Sequence, residues 1–192
     1  MRIIAGQWKG RKLLSPEDKF IRPTSDKVKE GVFSSLAPIV PDAVVVDLFA
    51  GTGNLGLEAL SRGAQRVYFG DVSAESMALT RKNIKLCGAQ EQSVCFQGDW
   101  KRVLNRVADE AAGKVDLIFL DPPYMGDFYE DCLEEISRLK LLAEDGIIMA
   151  EHDKHVELPE TIADLEVIRE RRYGHIHVKY YSTINEDTEE EA

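Results

Sequence analysis

An acid, two prolines and an aromatic ring, Asp121-Pro122-Pro123-Tyr124, close an apolar run that begins at Val115. Asp121 is a carboxylate acceptor. Proline has a fixed φ and no N–H, so the carbonyl of Pro122 sits on a stiff backbone and stays free to accept a hydrogen bond. Tyr124 offers an aromatic face on which a flat ligand can lie. Three more acids, Asp47, Asp71 and Asp99, also stand at the ends of short apolar runs. Each could do no more than cap a following helix. Acids at the ends of successive buried strands can also converge, because ligands of open α/β sheets bind beyond the carboxyl ends of the strands.

Between the first two acids lies Gly51-Thr52-Gly53-Asn54-Leu55-Gly56, a GxGxxG pattern with Asp71 twenty residues after its first glycine. Taken alone, this suits a nicotinamide dinucleotide, with glycines admitting the pyrophosphate and the acid binding a ribose. Asp47, four residues before Gly51, argues against phosphates and for a cationic group. S-adenosylmethionine carries an ammonium, a sulfonium, a ribose diol and an adenine amine, and no phosphate. Asp47, Asp71 and Asp99 match its methionine end, ribose and adenine in that order, and the glycines would let the backbone approach it.

The elements that must position these groups alternate. Strands are predicted at Val44–Phe49, Val67–Gly70, Val94–Gln97, 115–121 and Gly146–Glu151. Helices are predicted at Leu57–Arg62, Ala74–Cys87, Trp100–Ala111 and Phe128–Lys140. Such βαβ succession predicts a mostly parallel sheet with helices on both faces. Leu165–Arg172 and Ile176–Ser182 have no helix between them and must pair antiparallel around Tyr173-Gly174. Ahead of the core, 2–6 and 11–14 suggest a small hairpin about Trp8-Lys9-Gly10, and a helix should start at Thr24 or Ser25 and end before Pro38. The expected division is 1–37 for hairpin and helix, 38–183 for the core and 184–192 for an acidic disordered tail.

At 192 residues, 44% hydrophobic and 30% charged, the chain has the composition of an ordinary globular domain. No apolar run approaches the roughly 20 residues of a membrane span, and the first residues lack a signal-peptide core, so a cytoplasmic monomer without membrane contact is expected. Cys87, Cys95 and Cys132 lack metal-ligand spacing and read as free thiols. His152, His155, His175 and His177 read as non-ligands, so no metal is expected. The net charge is −10, yet residues 1–37 carry eight Lys and Arg against four Asp and Glu. A basic head on an acidic body suits a polyanion held at one edge, or a plain solvated surface. Lys9, Arg11, Arg22 and Thr24 are the candidate substrate contacts there, and Trp8 is preferred to Trp100 as a stacking ring.

The tetrapeptide resembles the (D/N)PP(Y/F) motif of methyltransferases that modify exocyclic amines of nucleic-acid bases. On that resemblance, Asp121 and the carbonyl of Pro122 would each accept one N–H and turn the nitrogen lone pair toward the methyl carbon. The whole chain to about residue 182 is similar to the RsmD family of bacterial 16S ribosomal RNA guanine-N2 methyltransferases. The similarity rests on Arg2-Ile3-Ile4-Ala5-Gly6, Lys9-Gly10-Arg11-Lys12-Leu13, Arg22-Pro23-Thr24, Asp47-Leu48-Phe49-Ala50-Gly51-Thr52-Gly53, Leu55-Gly56-Leu57-Glu58-Ala59-Leu60-Ser61-Arg62-Gly63-Ala64, Phe119-Leu120-Asp121-Pro122-Pro123-Tyr124 and Tyr173-Gly174. It implies a Rossmann-like, S-adenosylmethionine-dependent methyltransferase fold of class α/β, with seven strands and an antiparallel last strand. It also implies small-subunit RNA, naked or in the subunit, as partner. Catalytic residues would be Asp121, Pro122, Pro123 and Tyr124, and cofactor residues Asp47, Phe49, Gly51, Gly53, Asp71 and Asp99. A DNA adenine-N6 or protein glutamine methyltransferase, a nicotinamide dehydrogenase and a non-catalytic RNA-binding assembly factor are the alternatives.

Overall fold

A computed structural model describes residues 1–16, 26–123 and 128–184. Tyr124, Arg22, Thr24 and the acidic tail from 185 lie outside the described residues. One eight-stranded sheet runs through the molecule in the order β3-β2-β1-β4-β5-β8-β7-β6. Its strands are β1 (Val44–Asp47), β2 (Arg66–Asp71), β3 (Ser93–Gln97), β4 (Val115–Leu120), β5 (Leu142–Asp153), β6 (Thr161–Ile162), β7 (Leu165–Tyr173) and β8 (Ile176–Thr183). The first five are parallel, and β8 turns antiparallel against β5. The seven expected strands are joined by the two-residue β6, which pairs only with the start of β7.

The parallel strands read as unbroken apolar runs because both faces are covered. Alternate side chains feed two cores. Val45, Val67, Phe69, Leu117, Phe119 and Met149 pack under α1 (Asp26–Ser35), α2 (Asn54–Ser61) and α3 (Ala74–Cys87). Val46, Tyr68, Ile118, Leu120 and Ile148 pack under α4 (Trp100–Ala111) and α5 (Phe128–Arg138). Phe33 of α1 lies 5.6 Å from the Phe119 ring and ties that helix to the central strand. β5 starts earlier than its apolar stretch suggests, at Leu142, and a register shift against β4 between Val115 and Leu117 absorbs the extra residues. α5 stops at Arg138, and Lys140 takes a positive φ of 48° just beyond it.

The N-terminal hairpin is closed by the Arg2–Lys12 bridge and by the Ile3 N–H to the Arg11 carbonyl at 2.9 Å. It does not stand apart from the core. Ile3 is fully buried among the residues beneath α1 and α2. Glu58 of α2, itself buried, accepts the N–H groups of Ile4 at 2.8 Å and Ala5 at 3.0 Å. It also meets Lys29 Nζ at 3.1 Å and Arg62 Nε at 2.8 Å. Gly6 is required here, since its φ is +82° and a Cβ would stand 1.8 Å from the Ser61 carbonyl oxygen.

Candidate active site

β1 and β4 are neighbours, so the strand order reverses between them, and a crevice opens beyond their carboxyl ends. A cavity of about 780 Å³ occupies that place. Asp47, Phe49, Gly51, Asp71 and Asp99 line it, together with Asp121, Pro122 and Pro123. Described members of the two sets inferred from the sequence, one for a cationic ligand and one for an amine, therefore share a single cavity. Among the anticipated residues, Gly53 is outside the lining. Its φ of 76° instead turns the chain into α2, where it is the residue before the first helical one.

Each acid is held by backbone. The Gly56 N–H donates to Asp47 at 2.9 Å, the Gly51 and Ser73 N–H groups donate to Asp71 at 2.9 and 2.8 Å, and the Arg102 N–H donates to Asp99 at 3.0 Å. The glycine loop is further pinned from α3. The Thr80 hydroxyl donates to the Gly51 carbonyl at 2.9 Å, and Asn83 Nδ2 donates to the Thr52 carbonyl at 2.9 Å. These bonds fix the loop before any ligand arrives.

Burial pushes the Asp47 carboxyl up to about 7, with the nearby Asp121 and Asp71 carboxylates adding to the push and the Gly56 N–H opposing it. Burial also raises Asp121 well above the ordinary carboxylate range, and the neighbouring Glu151 carboxylate raises it further. No Lys or Arg is among the described residues that line the cavity, so further negative charge is disfavoured there and a cation that keeps Asp47 and Asp121 ionised is favoured. Phosphates would be repelled there; an ammonium or sulfonium would be attracted. The acceptor set thus fits S-adenosylmethionine and not a dinucleotide.

Several lining residues were not among those expected to form the site. Glu151 lies near the end of β5, beside the position where Asp121 follows β4, and its place after the apolar Ile147–Ala150 run was the available signal. Asn54 also lines the cavity and accepts from the buried Lys29 Nζ at 2.7 Å. Val72, exposed at 71%, provides an apolar wall beside Asp71. Trp100, rather than Trp8, reaches the cavity, while Trp8 packs against the core beneath α1. Lys9 and Arg11 are exposed and outside the lining, and Arg11 donates instead to the Leu86 carbonyl at the end of α3. His152, expected on a solvated loop, is buried in β5, its ring 5.7 Å from that of His177. Among the described residues no group of three or more ligating side chains could hold a metal, and no helix is long and apolar enough to cross a membrane.

Strand order and cavity together define the Rossmann-like fold of S-adenosylmethionine-dependent methyltransferases, with the strand reversal forming its ligand crevice. The chain belongs to the family described as conserved hypothetical protein 95, whose model matches residues 1–182. The resemblance to the RsmD family is borne out. A Bacillus subtilis protein named as a candidate rRNA methyltransferase, YlbH, is 40% identical over 181 residues, covering 94% of this chain and 98% of that protein. The ribosomal RNA small subunit methyltransferase D of Escherichia coli K12 is 32% identical over 181 residues, covering 94% and 89%. The solved structure of the Escherichia coli protein yhhF, described as a candidate methyltransferase, superposes with a TM-score of 0.82 at 32% identity, covering 95% and 97%.

Proposed function

We propose that this protein transfers a methyl group from S-adenosylmethionine to the exocyclic N2 amine of a guanine in small-subunit ribosomal RNA. The observation that carries the reading is the shared lining of one cavity by Asp47, Asp71 and Asp99 and by Asp121, Pro122 and Pro123. The names of relatives that match nearly the whole chain point the same way for the RNA. Asp47 would face the methionine end, Asp71 the ribose and Asp99 the adenine amine, with Phe49, Gly51, Val72 and Trp100 forming the walls. The bound cofactor supplies an electrophilic methyl on a positively charged sulfur.

Asp121 and the Pro122 carbonyl accept the two N–H bonds of the amine, which orients its lone pair. As the N–CH3 bond forms and the S–CH3 bond breaks, the nitrogen must shed one proton. The methylated amine is acidic and gives that proton up to the ionised carboxylate hydrogen-bonded to it, so no strong general base is required and positioning and preorganised acceptors supply the rate. Tyr124 is assigned the stacking ring. Lys9 and Arg11, outside the cavity lining, remain candidate contacts to the RNA, as do Arg22 and Thr24 on the resemblance alone.

The test is to incubate the protein with labelled S-adenosylmethionine and, separately, small subunits lacking the modification, naked 16S RNA, DNA or protein, and to map the label. Label on guanine N2 of the RNA supports the reading. Label on DNA adenine or protein glutamine transfers the chemistry to another amine, and cofactor binding without label on any of them would leave a binding protein. Asp121→Ala should abolish turnover, a loss on the order of a hundredfold or more, with cofactor affinity within a few-fold of wild type. Retained turnover would remove Asp121 from the mechanism.

A further inference from the structure

Beyond the cavity, the outer strand of the antiparallel half of the sheet carries two exposed arginines, on the row of the acceptor position and on the row below it. Leu120 of β4 pairs with Ala150 of β5, so the next rung sets Asp121 beside Glu151. Glu151 pairs with Val178 of β8, and Val178 pairs with Arg171 of β7. Side chains paired across a sheet share a face, so Asp121, Glu151, Val178 and Arg171 form one row. Phe119, Met149, Tyr180 and Arg169 form the row below it. Three strand spacings place Arg171 roughly 14 Å from Asp121 along the row.

Both arginines are exposed and neither has a carboxylate partner among the described residues. Arg172, on the opposite face, is bound to Glu170 at 2.9 Å. Arg169 Nη1 reaches the Ser35 carbonyl at 3.4 Å, and Arg171 Nη1 reaches the Glu170 carbonyl at 3.2 Å. A guanidinium has five N–H donors, so each keeps most of its capacity. Lys154, also exposed, stands at the sheet's carboxyl rim, its backbone N–H bonded to the His175 carbonyl at 2.9 Å. Past Glu166, the outer edge of β7 pairs with no strand among the described residues. In a chain of net charge −10, open cations aligned with an acceptor site are complementary to a polyanion.

We propose that Arg169 and Arg171 of β7 bind backbone phosphates of the RNA that flank the target nucleotide. This surface rests on the RNA reading given under Proposed function. Arginine is suited to it, because its planar fork pairs bidentately with phosphate. The competing role of these arginines is protection of an open strand edge, a common use of exposed charge.

Charge reversal separates the two roles, since glutamate also protects an edge but repels phosphate. Arg171→Glu, alone and combined with Arg169→Glu, is compared with wild type for binding to naked 16S RNA across a salt series and for methyl transfer. Melting temperature and elution volume confirm that each variant is folded and unaggregated. KM for RNA should rise on the order of tenfold, and the log–log salt slope should shrink by about 0.7 for each arginine lost. kcat at saturating RNA should change far less than KM, cofactor affinity should be retained, and Arg171→Lys should recover most of the slope. Unchanged KM and slope in the folded double variant overturn the proposal while leaving wild-type RNA methylation intact. Absence of label on any RNA from the wild type defeats the underlying reading and this surface with it.

Discussion

Asp47→Asn should stabilise the ligand-free protein while weakening its hold on S-adenosylmethionine. Asp47 is 3% exposed, and its carboxyl is pushed from 3.8 up to about 7. A rise of about 3 units at 1.36 kcal/mol per unit sets a ceiling of about 4 kcal/mol on the cost of keeping it ionised. Because the folded value is raised, the group's contribution to stability is fullest below pH 3.8 and is lost as pH climbs from there to about 7. The amide removes the charge but also weakens the bond from the Gly56 N–H, so the net gain near pH 8 should be on the order of 2 kcal/mol. For a domain of this size that raises Tm by about 4–8 °C, and near pH 4 the gain should vanish. Cofactor binding should move the other way. If the bound cation selects the carboxylate, only about a tenth of the free protein is competent near pH 6, and wild-type affinity should fall roughly tenfold from its value near pH 8. Asparagine should flatten that dependence and weaken binding at high pH. Thermal unfolding by circular dichroism and titration calorimetry at both pH values measure each quantity. A Tm in the variant at or below wild type near pH 8, together with a persisting pH dependence of affinity, would refute the assignment of Asp47 as the desolvated charge of this cavity.

Two further substitutions probe the seam between hairpin and core. Gly6→Ala must place a Cβ 1.8 Å from the Ser61 carbonyl oxygen at a φ of +82°, so the hairpin should detach or the fold lose about 3 kcal/mol or more, read from urea unfolding. Glu58→Ala removes the acceptor of the Ile4 and Ala5 N–H groups and leaves Lys29 buried beside Arg62, which should cost about 3–5 kcal/mol by the same measurement.

The parallel half of the sheet was legible because each strand is a short apolar run closed by an acid or a turn, a pattern local enough to read directly. The hairpin at 165–183 was legible for the same reason, since two alternating runs flank Tyr173-Gly174. The early start of β5 was not, because 142–146 pairs through a register shift that no local periodicity encodes. Nor was the burial of His152, which depends on its pairing with His177 across β5 and β8. The hairpin's attachment was hidden for a related reason. Glu58 reads as an ordinary polar helix residue, and only the fold brings it against Ile4, Ala5 and Lys29, which are more than twenty-five residues away. For the site, Asp121, Pro122 and Pro123 converge with the three acids as their places in the chain implied, whereas Glu151, and the places of Asn54 and Trp100 in the lining, needed the cavity to be seen.

The sequence posed capping and ligand binding as alternatives for Asp47, Asp71 and Asp99, and the geometry removes the opposition. All three accept backbone N–H groups near the start of a helix or loop, and all three line the cavity. A carboxylate has about four lone-pair positions, and one or two N–H bonds leave the others open. Asp71 illustrates this most fully. One of its oxygens holds the Gly51 N–H and the other holds the Ser73 N–H, so its plane is fixed between the glycine loop and the start of α3 while it faces the cavity. Capping is therefore the means by which the acid is positioned. An Asp71→Asn change, which keeps one acceptor but swaps the other for a donor facing a backbone N–H, should disturb the loop and the ligand together. On the proposed reading, capping and ligand binding fall to the same carboxylate.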